Sequence, residues 1–216
     1  MTFLPPLPHK LVIFGTSSFA EIAYEYFSRD SFYKPWAFTV EREYMNSCRF
    51  CSNPVIPFED VSATHPPDEY SMFIAVGYGE GNSIKERIYN ESKKKGYSLV
   101  NYVSSRAFVW RNVILGDNNF IFENNTIQPF VTIGNNNTFW SGNHIGHHSK
   151  IGNHNFFSSH VVVCGNVEIG DRCFLGVNSS IADNVSIPNE TFLKIGAIAT
   201  KDYIYEMGKK RTYNRS

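Results

Sequence analysis

From Val113 onward the chain repeats every six residues without a slip. In sixes it reads VILGDN NFIFEN NTIQPF VTIGNN NTFWSG NHIGHH SKIGNH NFFSSH VVVCGN VEIGDR CFLGVN SSIADN VSIPNE TFLKIG AIATKD. The third position is aliphatic or Phe throughout, from Leu115, Ile121 and Ile127 to Ile187, Leu193 and Ala199, and Val109 and Val103 extend the phase backwards. Glycine follows that residue at Gly116, Gly134, Gly146, Gly152, Gly170 and Gly176. A six-residue period fits neither a 3.6-residue helix nor a two-residue alternation, and it is the pattern of a hexapeptide β-helix. Each hexad supplies one flat side of a triangular prism with its aliphatic residue inward, so positions eighteen apart share a column one coil up. About five coils are expected, each burying the face of the next, with "YIYEMGKKRTYNRS" finishing one end.

The first hundred residues follow a different rule. "KLVIFG" (10–15) reads as a buried strand and "SSFAEIAYEYFSRD" as an amphipathic helix, with apolar residues at Phe19, Ile22, Ala23, Tyr26 and Phe27. Ser17 or Ser18 can cap that helix. "WAFTV" (36–40), "YSMFIAVG" (70–77) and "SLVNYV" (98–103) read as further strands, and "NSIKERIYNESKKKGY" (82–97) as a charged surface helix. Strand–helix alternation implies a small Rossmann-like parallel sheet with its ligand site at the carboxyl ends of the strands. The first turn, "GTSSFAE", lacks G-x-G-x-x-G, so NAD is not indicated. Another nucleotide's phosphates, or no ligand at all, both stay open. The boundaries expected are 1–102 for this α/β domain, 103–202 for the β-helix and 203–216 for a tail.

Composition narrows the class. Twenty basic and 20 acidic residues cancel, and without a basic stripe nucleic-acid binding is not expected. The apolar runs are too short to span a bilayer, and the prolines of "MTFLPPLPHK" do not suit an export signal. Four cysteines make no disulfide framework, which suits a reducing, cytoplasmic compartment. Cys48 and Cys51 form a lone CxxC, where a structural zinc site normally needs two such pairs, so an ordinary loop is the better reading.

The repeat, joined to "KLVIFGTSSFAEIA", "PVIPFEDV", "FIAVGY" and "GYSLVNYVS", resembles the left-handed β-helix sugar acyltransferases, namely the sialic acid O-acetyltransferases and the nucleotide-amino-sugar N-acetyltransferases. The resemblance implies a homotrimer with acetyl-CoA between neighbouring β-helices, no metal, and a nucleotide-linked sugar near the first domain. It places the catalytic histidine of "IGHHSKIG" at His147, although His148 stands where the family has an acid. Eighteen residues on, Gly165 falls where the family places the acetyl carbonyl against a backbone amide. Phe156, Val177, Ile195 and Gly196 would line the CoA arm. Ser17, Ser18, Phe19, Glu41, Gly77 and Tyr78 would line the sugar-nucleotide site, although the family's Gly-His and acidic pairs are here Ser18-Phe19 and Val40-Glu41.

A metal is the competing use for histidines. His148, His154 and His160 recur at the sixth hexad position and so fall at three corners of one coil, separated by sides of roughly 16 Å, whereas zinc ligands lie about 2 Å from the ion. Acetyl transfer instead needs a group near neutral pH that takes the acceptor's proton, which suits His147; His144 and His148 are possible second participants. The activity expected is N-acetylation of a nucleotide-linked 4-amino deoxysugar in surface-glycan biosynthesis, with sugar O-acetylation as the alternative. An amine can attack before it loses its proton, so it tolerates the missing acid better than a hydroxyl does. A non-catalytic sugar-nucleotide-binding β-helix is the second alternative.

Overall fold

The computed structural model describes residues 9–201, so the opening stretch up to Pro8, where no export signal is expected, and the expected tail at 203–216 lie outside the described residues. The chain divides into two compact units. One holds residues up to Gly77 together with Arg87–Asn101, and the other holds Tyr78–Glu86 and residues from Tyr102 on.

In the first unit β1 (His9–Phe14) is an interior strand of the sheet, with Leu11, Val12 and Ile13 fully buried. Helix α1 (Ser18–Arg29) buries Phe19, Ala20, Ala23 and Phe27, while Ile22 and Tyr26 are half-buried. Next come β2 (Tyr33–Val40), β3 (Arg49–Phe50), β4 (Asn53–Pro57), the one-turn helix α2 (Val61–Thr64) and β5 (Ser71–Ile74). The sheet order is β3-β4-β2-β1-β5, parallel except for the β3–β4 hairpin. Gly15 leaves β1 at φ +120, where an added Cβ would meet the Ala75 carbonyl oxygen at 2.7 Å, so only glycine fits. Helix α3 (Ser83–Lys94) starts in the second unit and ends in the first.

One expectation for this unit is corrected. "SLVNYV" is no continuous strand: Leu99 makes a single bridge to Met72, and Tyr102–Val103 already belongs to the first coil of the repeat. The CxxC segment forms the turn of a tight hairpin. Phe50 pairs with Asn53, and Cys51 and Ser52 carry the positive φ values, 46° and 65°, that a two-residue hairpin turn requires. Both thiols are free.

The second unit is a left-handed parallel β-helix of two-residue strands on three faces. Face 1 runs from Tyr102–Val103 to Phe192–Leu193, face 2 from Phe108–Val109 to Ile198–Ala199, and face 3 from Ile114–Leu115 to Ser186–Ile187. Every strand pairs with the one eighteen residues on, as in Ile127↔Ile145 and Val163↔Ile181. The third-position side chains form one continuous core, at most 3% exposed from Ile121 to Ala199. First-position residues also turn inward, and several are polar. Along one corner Asn119 Oδ1 accepts the backbone N–H of Asn137, Asn137 Oδ1 that of Asn155 and Asn155 Oδ1 that of Cys173, at 3.0, 2.8 and 2.7 Å. This ladder satisfies buried amides that the short strands leave over.

The sixth positions turn the corners. Asn118, Asn136, His148, His154, His160, Asn166, Arg172 and Glu190 all have φ between 52 and 60. Asn and His tolerate that left-handed region better than most side chains. The recurrence of histidine in "SGNHIGHHSKIGNH" is therefore in part a turn requirement.

Candidate functional site

His147 sits at the corner where face 2 passes into face 3, and His148 follows it at φ 58; both are exposed. The coil above fixes one side of the His147 ring. A Cβ at Gly165 would lie 2.7 Å from His147 Cε1 and 2.9 Å from Nε2, so the imidazole rests directly on the glycine backbone. Gln128, in the coil below, accepts the His147 backbone N–H through Oε1 at 2.9 Å. On the ring itself, Nδ1 lies 3.1 Å from His148 Nδ1 and shares a hydrogen bond with it. His148 in turn stacks on Phe130, centroids 4.7 Å apart and planes 28° apart, and its backbone N–H donates to the Pro129 carbonyl at 3.2 Å. One nitrogen of His147 is thus held by a partner, while Nε2 is bonded by no described residue.

The backbone N–H of Gly165 is not free. It donates to Asp183 Oδ1 at 2.9 Å, one coil further up. The amide expected to receive the acetyl oxyanion is therefore engaged by a carboxylate. What the glycine provides directly is room for the imidazole.

The remaining predicted residues fall in several places. His144 points outward on face 2, half-buried, between Thr126 and Val162. Val177, Ile195 and Gly196 lie at another corner, where face 1 passes into face 2, so one chain does not bring them to His147. Phe156 is on face 1 in an outward aromatic ladder. It stacks on Phe174 at 5.5 Å, Phe174 stacks on Phe192 at 4.7 Å, and Tyr78 packs on Phe174 at 4.5 Å.

In the first unit Ser17 occupies the N-cap of α1 and is exposed with Ser18, but its hydroxyl makes no capping hydrogen bond. Phe19, at 6% exposure, is a core side chain set edge-on to Phe73, because it falls on the apolar face of α1. Glu41 ends β2 but is committed to Arg87, which donates to both carboxylate oxygens at 2.8 and 3.0 Å. Gly77 shares the first unit with these four and has open space around it, whereas Tyr78 belongs to the second unit.

Residues that sequence reasoning passed over surround these positions. Gln128, Phe130 and Asp183 touch the His147 corner, and the eighteen-residue column spacing alone would have found Phe130 below His148 and Asp183 above Gly165. At the carboxyl ends of β1 and β2 a small cavity is lined by Thr16, Asn46, Ser47 and Arg49. Thr16 lies in the "GTSSFAE" turn, and Ser47 and Arg49 lie at the CxxC segment. A larger cavity, about 760 Å³, opens at the amino ends of these strands beside Tyr24, Arg29 and Tyr33, away from the end where such sheets hold ligands.

A polar cluster also lies along the corner from face 3 to face 1. His154 is buried, accepts from Asn136 Nδ2 through Nδ1 at 2.8 Å and lies 3.9 Å from Glu86, and burial lowers its affinity for a proton. Lys85 is 2% exposed and donates to Thr138 Oγ1 at 2.8 Å, and burial pushes its ammonium down to about 7. Among the described residues no group of three or more His, Cys, Asp or Glu side chains could hold a metal ion, and no helix is long and apolar enough to cross a membrane.

Residues 112–147 and 148–183 match the family described as bacterial transferase hexapeptide (six repeats). No curated protein sequence matches the chain at a significant level. Among solved structures, a histidine-to-asparagine mutant of perosamine N-acetyltransferase from Caulobacter crescentus, in complex with CoA and GDP-perosamine, aligns with a TM-score of 0.79 at 21% identity over 88% of each chain. The acetyltransferase domain of PglB from Neisseria gonorrhoeae FA1090 aligns with a TM-score of 0.78 at 16% identity, over 89% of this chain and 91% of that one. WeeI from Acinetobacter baumannii AYE gives 0.70 at 19% identity, over 88% and 91%. At these identities the likeness is one of fold, an α/β unit followed by a hexapeptide β-helix.

Proposed function

We propose that the protein is a cytoplasmic, homotrimeric acetyl-CoA-dependent acetyltransferase that acylates the amino group of a nucleotide-linked 4-amino deoxysugar in surface-glycan biosynthesis. The observation that carries the reading is the His147 imidazole, seated on the Gly165 backbone at a prism edge with Nδ1 engaged and Nε2 open. Two of the solved structures with this fold add support, one holding CoA with GDP-perosamine and another holding acetyl coenzyme A.

In the proposed reaction the amine nitrogen attacks the thioester carbonyl, and the carbon–sulfur bond breaks as the amide forms. His147 Nε2 takes the proton that the amine loses, and CoA leaves as the thiol once that proton reaches sulfur. The thioester oxygen is served by the Gly165 N–H, which must first exchange its bond to Asp183. Val177, Ile195 and Gly196 act on the CoA arm of a neighbouring copy, since they sit at a different corner from His147. Ser17, Ser18 and Gly77 remain the proposed sugar-nucleotide contacts, with Thr16, Ser47 and Arg49 added from the cavity at the sheet's carboxyl ends.

The test is thiol release from acetyl-CoA against GDP-perosamine, other nucleotide-linked 3- and 4-amino sugars, their hydroxyl counterparts and free sialic acid. Release with one amino sugar, reduced on the order of 10²–10⁴-fold in His147→Ala, is the expected result. Release with hydroxyl sugars alone would move the protein to O-acetylation, and undiminished turnover in His147→Ala would remove the base.

A further inference from the structure

We propose that His148 is the positioning residue of this centre: its Nδ1 accepts the Nδ1–H of His147 and so selects the tautomer in which Nε2 is an unprotonated base. This rests on the reading of His147 as the base. The two Nδ1 atoms are 3.1 Å apart, and a hydrogen bond between them holds a single proton. If His147 owns that proton, its Nε2 carries a lone pair and can act on an acceptor. If His148 owns it, the His147 proton sits on Nε2 and the base is lost. Which ring nitrogen is protonated follows from the bond the other one makes.

The surroundings fix both rings. His148 is held from the coil below, by Phe130 against its face and by the Pro129 carbonyl on its backbone N–H. His147 is held from the coil above, by the Gly165 backbone. The two rings are nearly perpendicular, 85° apart with centroids at 5.3 Å, so the nitrogens meet at their edges and not through stacked faces. When Nε2 takes a proton, the Nδ1–H bond to His148 becomes charge-assisted and shortens. A neutral acceptor thus orients the base where no carboxylate is adjacent in sequence.

Two substitutions suit φ 58 equally and differ in the acceptor. His148→Gly removes it, and His148→Asn keeps an oxygen at the position of Nδ1 in the residue type that six other corners of the repeat already carry. The full chain is labelled with ¹⁵N-histidine, and its ring tautomers are read from two-bond proton–nitrogen correlations, with the His147 signals assigned by their loss in His147→Ala.

The expected result is Nδ1–H for His147 in the wild type and in His148→Asn, and Nε2–H in His148→Gly. In the thiol-release assay His148→Gly loses roughly 10²-fold in kcat with KM for acetyl-CoA unchanged, inside the ~10⁴-fold that a wrong tautomer costs a Ser–His–Asp site. His148→Asn recovers most of that loss. An Nε2–H tautomer in the wild type, or an unchanged tautomer in His148→Gly, overturns the proposal. Full turnover in His147→Ala would defeat the base reading alone, because the tautomer measurement does not depend on it.

Discussion

Gly165→Ala separates the two uses of this glycine. The added Cβ would stand 2.7 Å from His147 Cε1 and 2.9 Å from Nε2. Carbon atoms settle at about 3.5–4.0 Å, so the ring must withdraw by roughly 1 Å. It is an exposed side chain at a corner, so the withdrawal disturbs no core residue, and Gly165 is not among the glycines with positive φ. Stability should therefore change by less than about 1 kcal/mol. Catalysis is far more sensitive, since a displacement of about 1 Å can cost about 10²-fold, equivalent to ~2.7 kcal/mol of barrier. The backbone N–H of residue 165 is untouched by the substitution. The assay is kcat and KM for acetyl-CoA beside a thermal melt of the same preparation. A folded variant with kcat within about threefold of wild type would refute the argument that His147 acts from its seat on this glycine.

Three further outcomes follow from the same coordinates. Lys85→Met should change how stability depends on pH: with the folded-state value near 7 and the unfolded value near 10.5, the native protein binds fewer protons between them, so wild-type stability rises with pH across that window by up to ~1.4 kcal/mol per unit. The urea-unfolding energy of wild type minus that of the variant should therefore rise from pH 7 to pH 10, and a constant difference would rule the linkage out. Asn137→Ala should cost roughly 2–3 kcal/mol in the same assay, since it strands the buried N–H of Asn155 and the Gly152 carbonyl; a loss below 0.5 kcal/mol would mean that the ladder is replaceable. Asp183→Ala should release the Gly165 N–H and raise kcat if that amide serves the thioester oxygen, whereas an unchanged kcat would leave the glycine with only its role beneath His147.

The β-helix was legible because its signal is one-dimensional. A period of six repeated from Val113 to Ala199 assigns inward, outward and corner positions without tertiary information, and the eighteen-residue columns follow by arithmetic. The first unit was legible where strands are apolar. β4 went unread as a strand because Pro54 and Pro57 bracket it, and proline argues against sheet pairing except at edges and strand ends. The beginning of the helix expected over 82–97 was misread in kind. Lysine and glutamate beside a helical pattern suggest a solvated face, yet Lys85 is buried on Thr138, and Glu86 meets Arg172 at 2.9 Å. Only a neighbour remote in sequence makes that burial tolerable, and no local pattern reports it. The His148 contact could not be read either, because adjacent residues normally diverge and the left-handed turn is what folds the second ring back onto the first.

Stacking at a fixed step also turns chain length into a constraint of its own. Each residue of the repeat has an address made of a face, a level and a depth, and each address depends on the count of residues before it. Removing a single residue between Val113 and His147 would turn the inward column outward for everything downstream. Removing six between Phe130 and His147 would restore the core but carry His147 a third of a turn round the axis, away from Phe130 and Gln128. Only eighteen residues can be lost or gained together without rotating one end against the other, so evolution of such a chain must edit its length in whole coils.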